Sequence, residues 1–145
     1  MLRTVLLSGA LLHLPAAAVA AMNGHAFAGG GMLALAHDFR VMRADRGFFC
    51  LPEIDLRLPL AAGMTALIKS RLTPATFRDM ILSGARVGAV EALERGIVDE
   101  AAPADEVLPR AIARAAALAD KDRATMGALK RGMYADTLSV LERGE

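Results

Sequence analysis

Residues 17–36 read AAVAAMNGHAFAGGGMLALA, and this stretch decides the fold. Ala17 to Met22 is apolar at every position, the pattern of a strand covered on both faces. Asn23-Gly24 interrupts it, and Gly29-Gly30-Gly31 opens onto the apolar run Met32 to Ala36, which reads as a helix. Three glycines in a row leave the backbone bare, so something can approach it closely. The order is strand, glycine-rich turn, helix.

Upstream, Met1 to Ala21 carries one early Arg, an apolar run, Pro15 and then small residues, which is also the pattern of a secretory leader with a cleavage site near Ala20. The other reading is a helix from Leu2 to Leu14 stopped by Pro15, followed by the strand. The run is too short and too interrupted to span a membrane.

Downstream, Asp38 to Met42 ends one helix and starts a strand. Asp45-Arg46-Gly47 signals a turn, Phe48 to Leu51 a strand, and Pro52 a loop at Glu53. A packed helix is expected over Ala61 to Arg71. Thr73-Pro74 marks the start of another helix that runs to Ser83 and ends at Gly84. Ala89 to Arg95 reads as a short helix and Ile97-Val98 as a strand. After Pro103 a helix runs to about Ala119 with Leu108, Ile112, Ala115 and Ala119 on one face. A last helix, Arg123 to Leu141, presents the stripe Met126, Leu129, Met133 and Leu141, which needs a partner surface.

The chain has 145 residues, 54% of them hydrophobic, which suits one compact domain and excludes a disordered tail. Seventeen Lys and Arg against sixteen Asp and Glu leave a net charge of +1 with both signs spread along the chain, so nucleic acid is not an expected partner. A single cysteine, Cys50, excludes an internal disulfide and reads as a small buried hydrophobe. His13, His25 and His37 lack zinc-ligand spacing, so no metal is expected. With 4% aromatic residues and eight Met, the core must be built from aliphatic side chains in close helix packing.

The buried strand into Asn23-Gly24, the glycines Gly29 to Gly31, His37-Asp38-Phe39-Arg40 and Pro52-Glu53-Ile54 together resemble the crotonase family of enoyl-CoA hydratases and isomerases. Leu82-Ser83-Gly84, Glu91-Ala92-Leu93 and Gly96-Ile97-Val98-Asp99 resemble its later segments, so the likeness runs from Ala17 to the end. It favours the helix-and-strand reading of the N-terminus over the leader. The implied fold is α/β, a crotonase-like (ClpP/crotonase) spiral of ββα units: one partial domain, with a core over residues 1–100 and C-terminal helices over 101–145. The implied substrate is an acyl-CoA thioester, with no separate cofactor.

Removing the α-proton of a thioester places negative charge on its carbonyl oxygen, and backbone N–H groups at a helix start suit that charge. The family resemblance assigns Gly29 as that donor and Glu53 as the acid/base, held on a rigid loop among Leu51, Ile54 and Leu56. Ala28, Gly30, Met32, Leu56 and Lys130 are the implied substrate contacts, the last toward a CoA phosphate together with Arg131; the residues alone read these two as a solvated helix face. Hydratases of the family carry a second Glu at the position assigned here to Met32. Hydration needs two groups, one for water and one for the proton, whereas moving a double bond needs one. The stretch therefore resembles the Δ3,Δ2-enoyl-CoA isomerase branch of fatty-acid β-oxidation. His25 and His37 read as local hydrogen-bonding groups, Asp38 as a partner of Arg40 or Arg43, and Asp55 as a minor candidate helper.

Family members carry further strands and helices ahead of the matched segment, supplying a second oxyanion donor and much of the adenine pocket. The expectation is an N-terminally shortened member with an open strand edge, oligomeric or prone to aggregation. Two function classes follow: an isomerase working through Glu53, or a non-catalytic chain that binds a partner subunit. No Ser-Lys-Leu-like ending is present, so a cytoplasmic location is expected, with no membrane attachment.

Overall fold

The computed structural model describes residues 2–143. Its elements, in order, are α1 (Leu2–Leu12), β1 (Val19–Met22), β2 (Ala26–Phe27), α2 (Gly29–Ala36), β3 (Phe39–Arg43), β4 (Phe49–Cys50), α3 (Glu53–Leu56), α4 (Ala62–Arg71), α5 (Pro74–Ser83), α6 (Ala89–Glu94), β5 (Glu100–Ala102), α7 (Val107–Ala116), α8 (Arg123–Met133) and α9 (Ala135–Glu142). Two parallel sheets result, one in the order β1-β3-β5 and one pairing β2 with β4.

Alternation along the strands separates two cores. Ala20, Met22 and Met42 face the main core with Leu35, Leu67 and Ile68. Val41 faces the other way, against Ala102, Val107 and Ala111 under α7. The covered-strand expectation for β1 therefore holds except at Ala21, which is exposed. Among the described residues, β1 pairs only with β3.

Local signals placed α5 well. The Thr73 hydroxyl accepts from the Thr76 amide at 3.2 Å, Pro74 takes the first turn, and Gly84 closes the helix at φ 62°. Other expectations need correction. Glu53 begins the one-turn helix α3 instead of lying in a loop, because Pro52 occupies the N-cap position and its carbonyl accepts from the Asp55 and Leu56 amides. Ile97-Val98 is buried but not a strand, since the Ile97 amide bonds back to the Ala92 carbonyl; the strand is β5. On α7, Leu108 and Ile112 are exposed, and the smaller Val107 and Ala111 make the close approach to the sheet. The last helix is two, broken at Tyr134, whose ring turns inward while Leu129 and Met133 stay exposed. No helix among the described residues is long and apolar enough to cross a membrane.

Candidate active site

Parallel pairing of β2 with β4 builds the site. Phe27 lies opposite Cys50, and the Ala28 amide donates to the Cys50 carbonyl at 3.0 Å. Both strands therefore end on the same sheet edge, and a helix follows each, α2 after β2 and α3 after β4. Ligands of parallel α/β sheets sit at such carboxyl ends.

Ala28 makes the strand-to-helix turn at φ 48° and ψ −118°, a conformation costly for a residue with a Cβ. No side chain caps α2, and its first amide bond runs from Met32 to Ala28, so Gly29, Gly30 and Gly31 occupy the turn whose amides point out of the helix. The three glycines differ in surroundings. A Cβ on Gly29 would lie 3.5 Å from the Thr4 hydroxyl of α1, and one on Gly31 would press at 3.2 Å on the Ala26 carbonyl and 3.3 Å on the Phe49 ring. Gly30 has open space and lines a groove of about 350 Å³ with β1, Leu33, Ala34 and His37. Of the three, Gly30 is exposed and Gly29, the expected donor, is half-buried beside it.

Glu53 lines a separate cleft of about 420 Å³, walled by Ile54, Leu58, Leu60, Phe77, Ile81 and Leu82. Its Oε2 is buried and has no hydrogen-bond partner. A buried polar atom left unpaired costs about 1–3 kcal/mol, so this oxygen is held against its own preference. Arg57 closes α3 in the left-handed conformation at φ 55° and also reaches the cleft.

Several expected contacts lie elsewhere. Met32 is 4% exposed and packs in the main core, because its direction on α2 is opposite to the groove. Leu33, three residues after Gly30 and on the same helix face, is the side chain at that level. Periodicity does not single it out, because α2 is apolar all round. Leu56 is 54% exposed and lies off the cleft, whereas Ile54 and Leu58 of the same segment line it. Asp55 is also off the cleft, and its carboxylate lies against Gly84.

Lys130 is 5% exposed; its ammonium bonds Asp38 Oδ2 at 2.7 Å and the Ala16 carbonyl at 3.2 Å. It is a structural cation, removed from either cleft, while Arg131 stays exposed. Asp38 accordingly pairs with Lys130 and the Ala18 amide, and Arg43 pairs with Asp45. Lys130→Ala should lower the unfolding free energy by about 3 kcal/mol in urea titrations, the scale for breaking a buried pair. Affinity for free CoA should stay unchanged; loss of CoA affinity at unchanged stability would reinstate a phosphate-binding role.

His25 Nδ1 accepts from the Phe48 amide at 3.2 Å, and its ring lies against Phe27 and Phe48. His37 Nδ1 bonds the Leu33 carbonyl at 2.8 Å. Cys50 donates to the Gly84 carbonyl at 3.2 Å, and burial pushes its thiol pKa up, away from the thiolate form.

Residues 5–144 match the sequence model of the family described as enoyl-CoA hydratase/isomerase. The peroxisomal enoyl-CoA delta isomerase 2 of Arabidopsis thaliana is 45% identical over 94 residues, 64% of this chain and 39% of that protein. The carnitinyl-CoA dehydratase of Escherichia coli K12 is 37% identical over 120 residues, 83% of this chain and 46% of that one. Among solved structures, a probable enoyl-CoA hydratase from Mycobacterium tuberculosis H37Rv superposes with a TM-score of 0.90 at 27% identity, covering 97% of this chain and 59% of that one. The chain therefore spans less than half the length of these curated relatives.

Proposed function

The chain belongs to the enoyl-CoA hydratase/isomerase family, and from that premise we propose that it moves the double bond of a 3-enoyl-CoA thioester to the 2-position, with Glu53 carrying the proton. The observation behind this reading is the buried, unpartnered Glu53 Oε2 on an apolar cleft, at the sheet edge where the amide-bearing end of α2 also starts.

In the proposed reaction the acyl chain occupies the cleft of Ile54, Leu58 and Phe77. Glu53 takes the proton from C2, and the electron pair delocalises into the thioester, placing negative charge on its oxygen. The amides at the start of α2 receive that charge, helped by the helix dipole. Glu53 then returns the proton to C4 as the double bond forms between C2 and C3, so atoms and charge balance. One carboxylate suffices.

Hydration would need a second group to activate water. On the helix face beside Gly30 stands Leu33, which cannot do so, and Met32 in the core cannot either. The expected result is conversion of 3-hexenoyl-CoA to the conjugated 2-enoyl ester, with little loss of conjugation when crotonyl-CoA is supplied instead. Rapid hydration of crotonyl-CoA would overturn the isomerase reading in favour of a hydratase. Turnover of neither ester would favour the second reading, a chain that binds a partner without catalysis. The exposed Leu108, Ile112, Leu129 and Met133 favour that alternative.

A further inference from the structure

The carbonyl end of α2 is held by side chains from outside the helix. No basic residue lies in its own last turn, yet two guanidinium groups converge there. Arg40, on the inward side of β3 and 4% exposed, donates to the Ile97 carbonyl at 2.6 Å and the His37 carbonyl at 2.8 Å, with longer bonds to Ala34 and Leu35. Arg71, at the end of α4, donates to the carbonyls of Leu35 at 2.8 Å, His37 at 2.8 Å and Asp38 at 3.1 Å. These carbonyls carry the negative end of the helix dipole, so both cations are stabilised where they sit.

Burial and the neighbouring Arg71 charge press the Arg40 pKa down to about 10, with Asp99 and Asp38 opposing the shift. Two like charges are thus packed together at a cost, on one short helix. The other end of that helix has no side-chain cap and begins with three glycines, which add little stiffness. With eight residues, α2 is about 12 Å long, so a grip on its carbonyl end acts on its amide end as well, together with the Ala28–Cys50 bond and the packing of Gly31 and Met32.

We propose that Arg71 is a positioning residue: by clamping the carbonyl end of α2 it fixes where the amides of Gly29 to Gly31 meet the thioester oxygen. It also couples those amides to the C-terminal helices, because the Arg71 guanidinium bonds the Tyr134 hydroxyl and lies 5.1 Å from that ring's centre, at the junction of α8 and α9. Arg40 is wholly enclosed and serves the packing, whereas Arg71 lines a groove of about 360 Å³ with Asp38, Leu129 and Met133. A small cation can therefore reach the space that Arg71 would vacate. The proposal rests on the reading of the α2 amides as acceptors of thioester charge.

The test compares the intact chain with Arg71→Ala and Arg71→Lys. For Arg71→Ala, kcat per folded molecule on 3-hexenoyl-CoA should fall about 10- to 100-fold, the scale of a misplacement near 1 Å, with KM moving no more than about twofold. Millimolar guanidinium should restore part of the rate with saturation, and Arg71→Lys should lie between the two. A merely structural role would lower the folded fraction and leave kcat per folded molecule, and guanidinium, without effect; that result overturns the proposal. If Arg71→Ala does not fold, the Arg71→Lys values decide by the same criteria. Amide NMR provides the arm that needs no turnover: the Gly30 and Gly31 signals should shift in the variant and return with guanidinium, while the Thr76 amide of α5 stays in place. Wild-type inactivity with shifted glycine signals would sink the isomerase reading alone, and unmoved glycine signals would sink the positioning role.

Discussion

Glu53→Gln should lower turnover of 3-hexenoyl-CoA by ~100-fold or more, the contribution typical of a positioned general base. The carboxamide keeps the shape of the side chain and loses the ability to take a proton from C2. Its stability signature sets the residue apart from a structural acid. Because Oε2 has no hydrogen-bond partner, no bond to that atom is lost, and urea titration should place the variant within about 1 kcal/mol of the parent. Near-normal turnover would remove Glu53 from the mechanism. A stability loss of several kcal/mol with normal kinetics would make it part of the scaffold.

The second large effect separates two adjacent residues on α2. Met32→Glu would place an ionised carboxylate in the main core, where nothing is available to pair with it. Such burial costs more than ~4 kcal/mol, enough to unfold a domain of ordinary stability. Leu33→Glu puts the same group on the half-buried face that opens on the groove beside Gly30, where it should cost no more than about 1 kcal/mol. Circular dichroism during thermal and urea unfolding reads both. Leu33→Glu should also raise crotonyl-CoA hydration above the parent, since a second carboxylate then stands in the groove beside the α2 amides. Equal tolerance of the two substitutions would mean that Met32 does not point into the core.

What could be read from the sequence follows the range of the forces involved. Thr73, Pro74 and Gly84 mark α5 through interactions a few residues long, so its ends were legible. The residues of Pro52-Glu53-Ile54 carried the family likeness, though not the helical turn they adopt. Side-chain direction on α2 was illegible: residues 29–36 are glycine or apolar throughout, so periodicity could not distinguish Met32 from Leu33. Spacing from Gly30 was the available signal, because positions three apart share a helix face.

Lys130 and Arg71 show the other limit. A basic residue near a helix end reads as solvated or anion-binding until the chain closes on it. Asp38 meets Lys130 across 92 positions and the Leu35 carbonyl meets Arg71 across 36, contacts that only the assembled fold creates. The split of the last helix at Tyr134 has the same origin, since its ring is drawn inward to Arg71. The likeness to relatives supplied the acyl-CoA class, and the acyl site proposed for this chain is the apolar cleft beside Glu53.

The most direct test follows the proton itself. A single carboxylate that removes it from C2 and delivers it to C4 carries original hydrogen across when delivery outpaces exchange with water, and the burial of Glu53 Oε2 favours that order. With 3-hexenoyl-CoA deuterated at C2 and turned over briefly in ordinary water, mass spectrometry and NMR of the 2-enoyl product should find part of the label at C4, with none transferred by Glu53→Gln. Product from the wild-type chain with hydrogen at C4 drawn wholly from water, or label transfer that survives Glu53→Gln, would contradict Glu53 as the proton carrier.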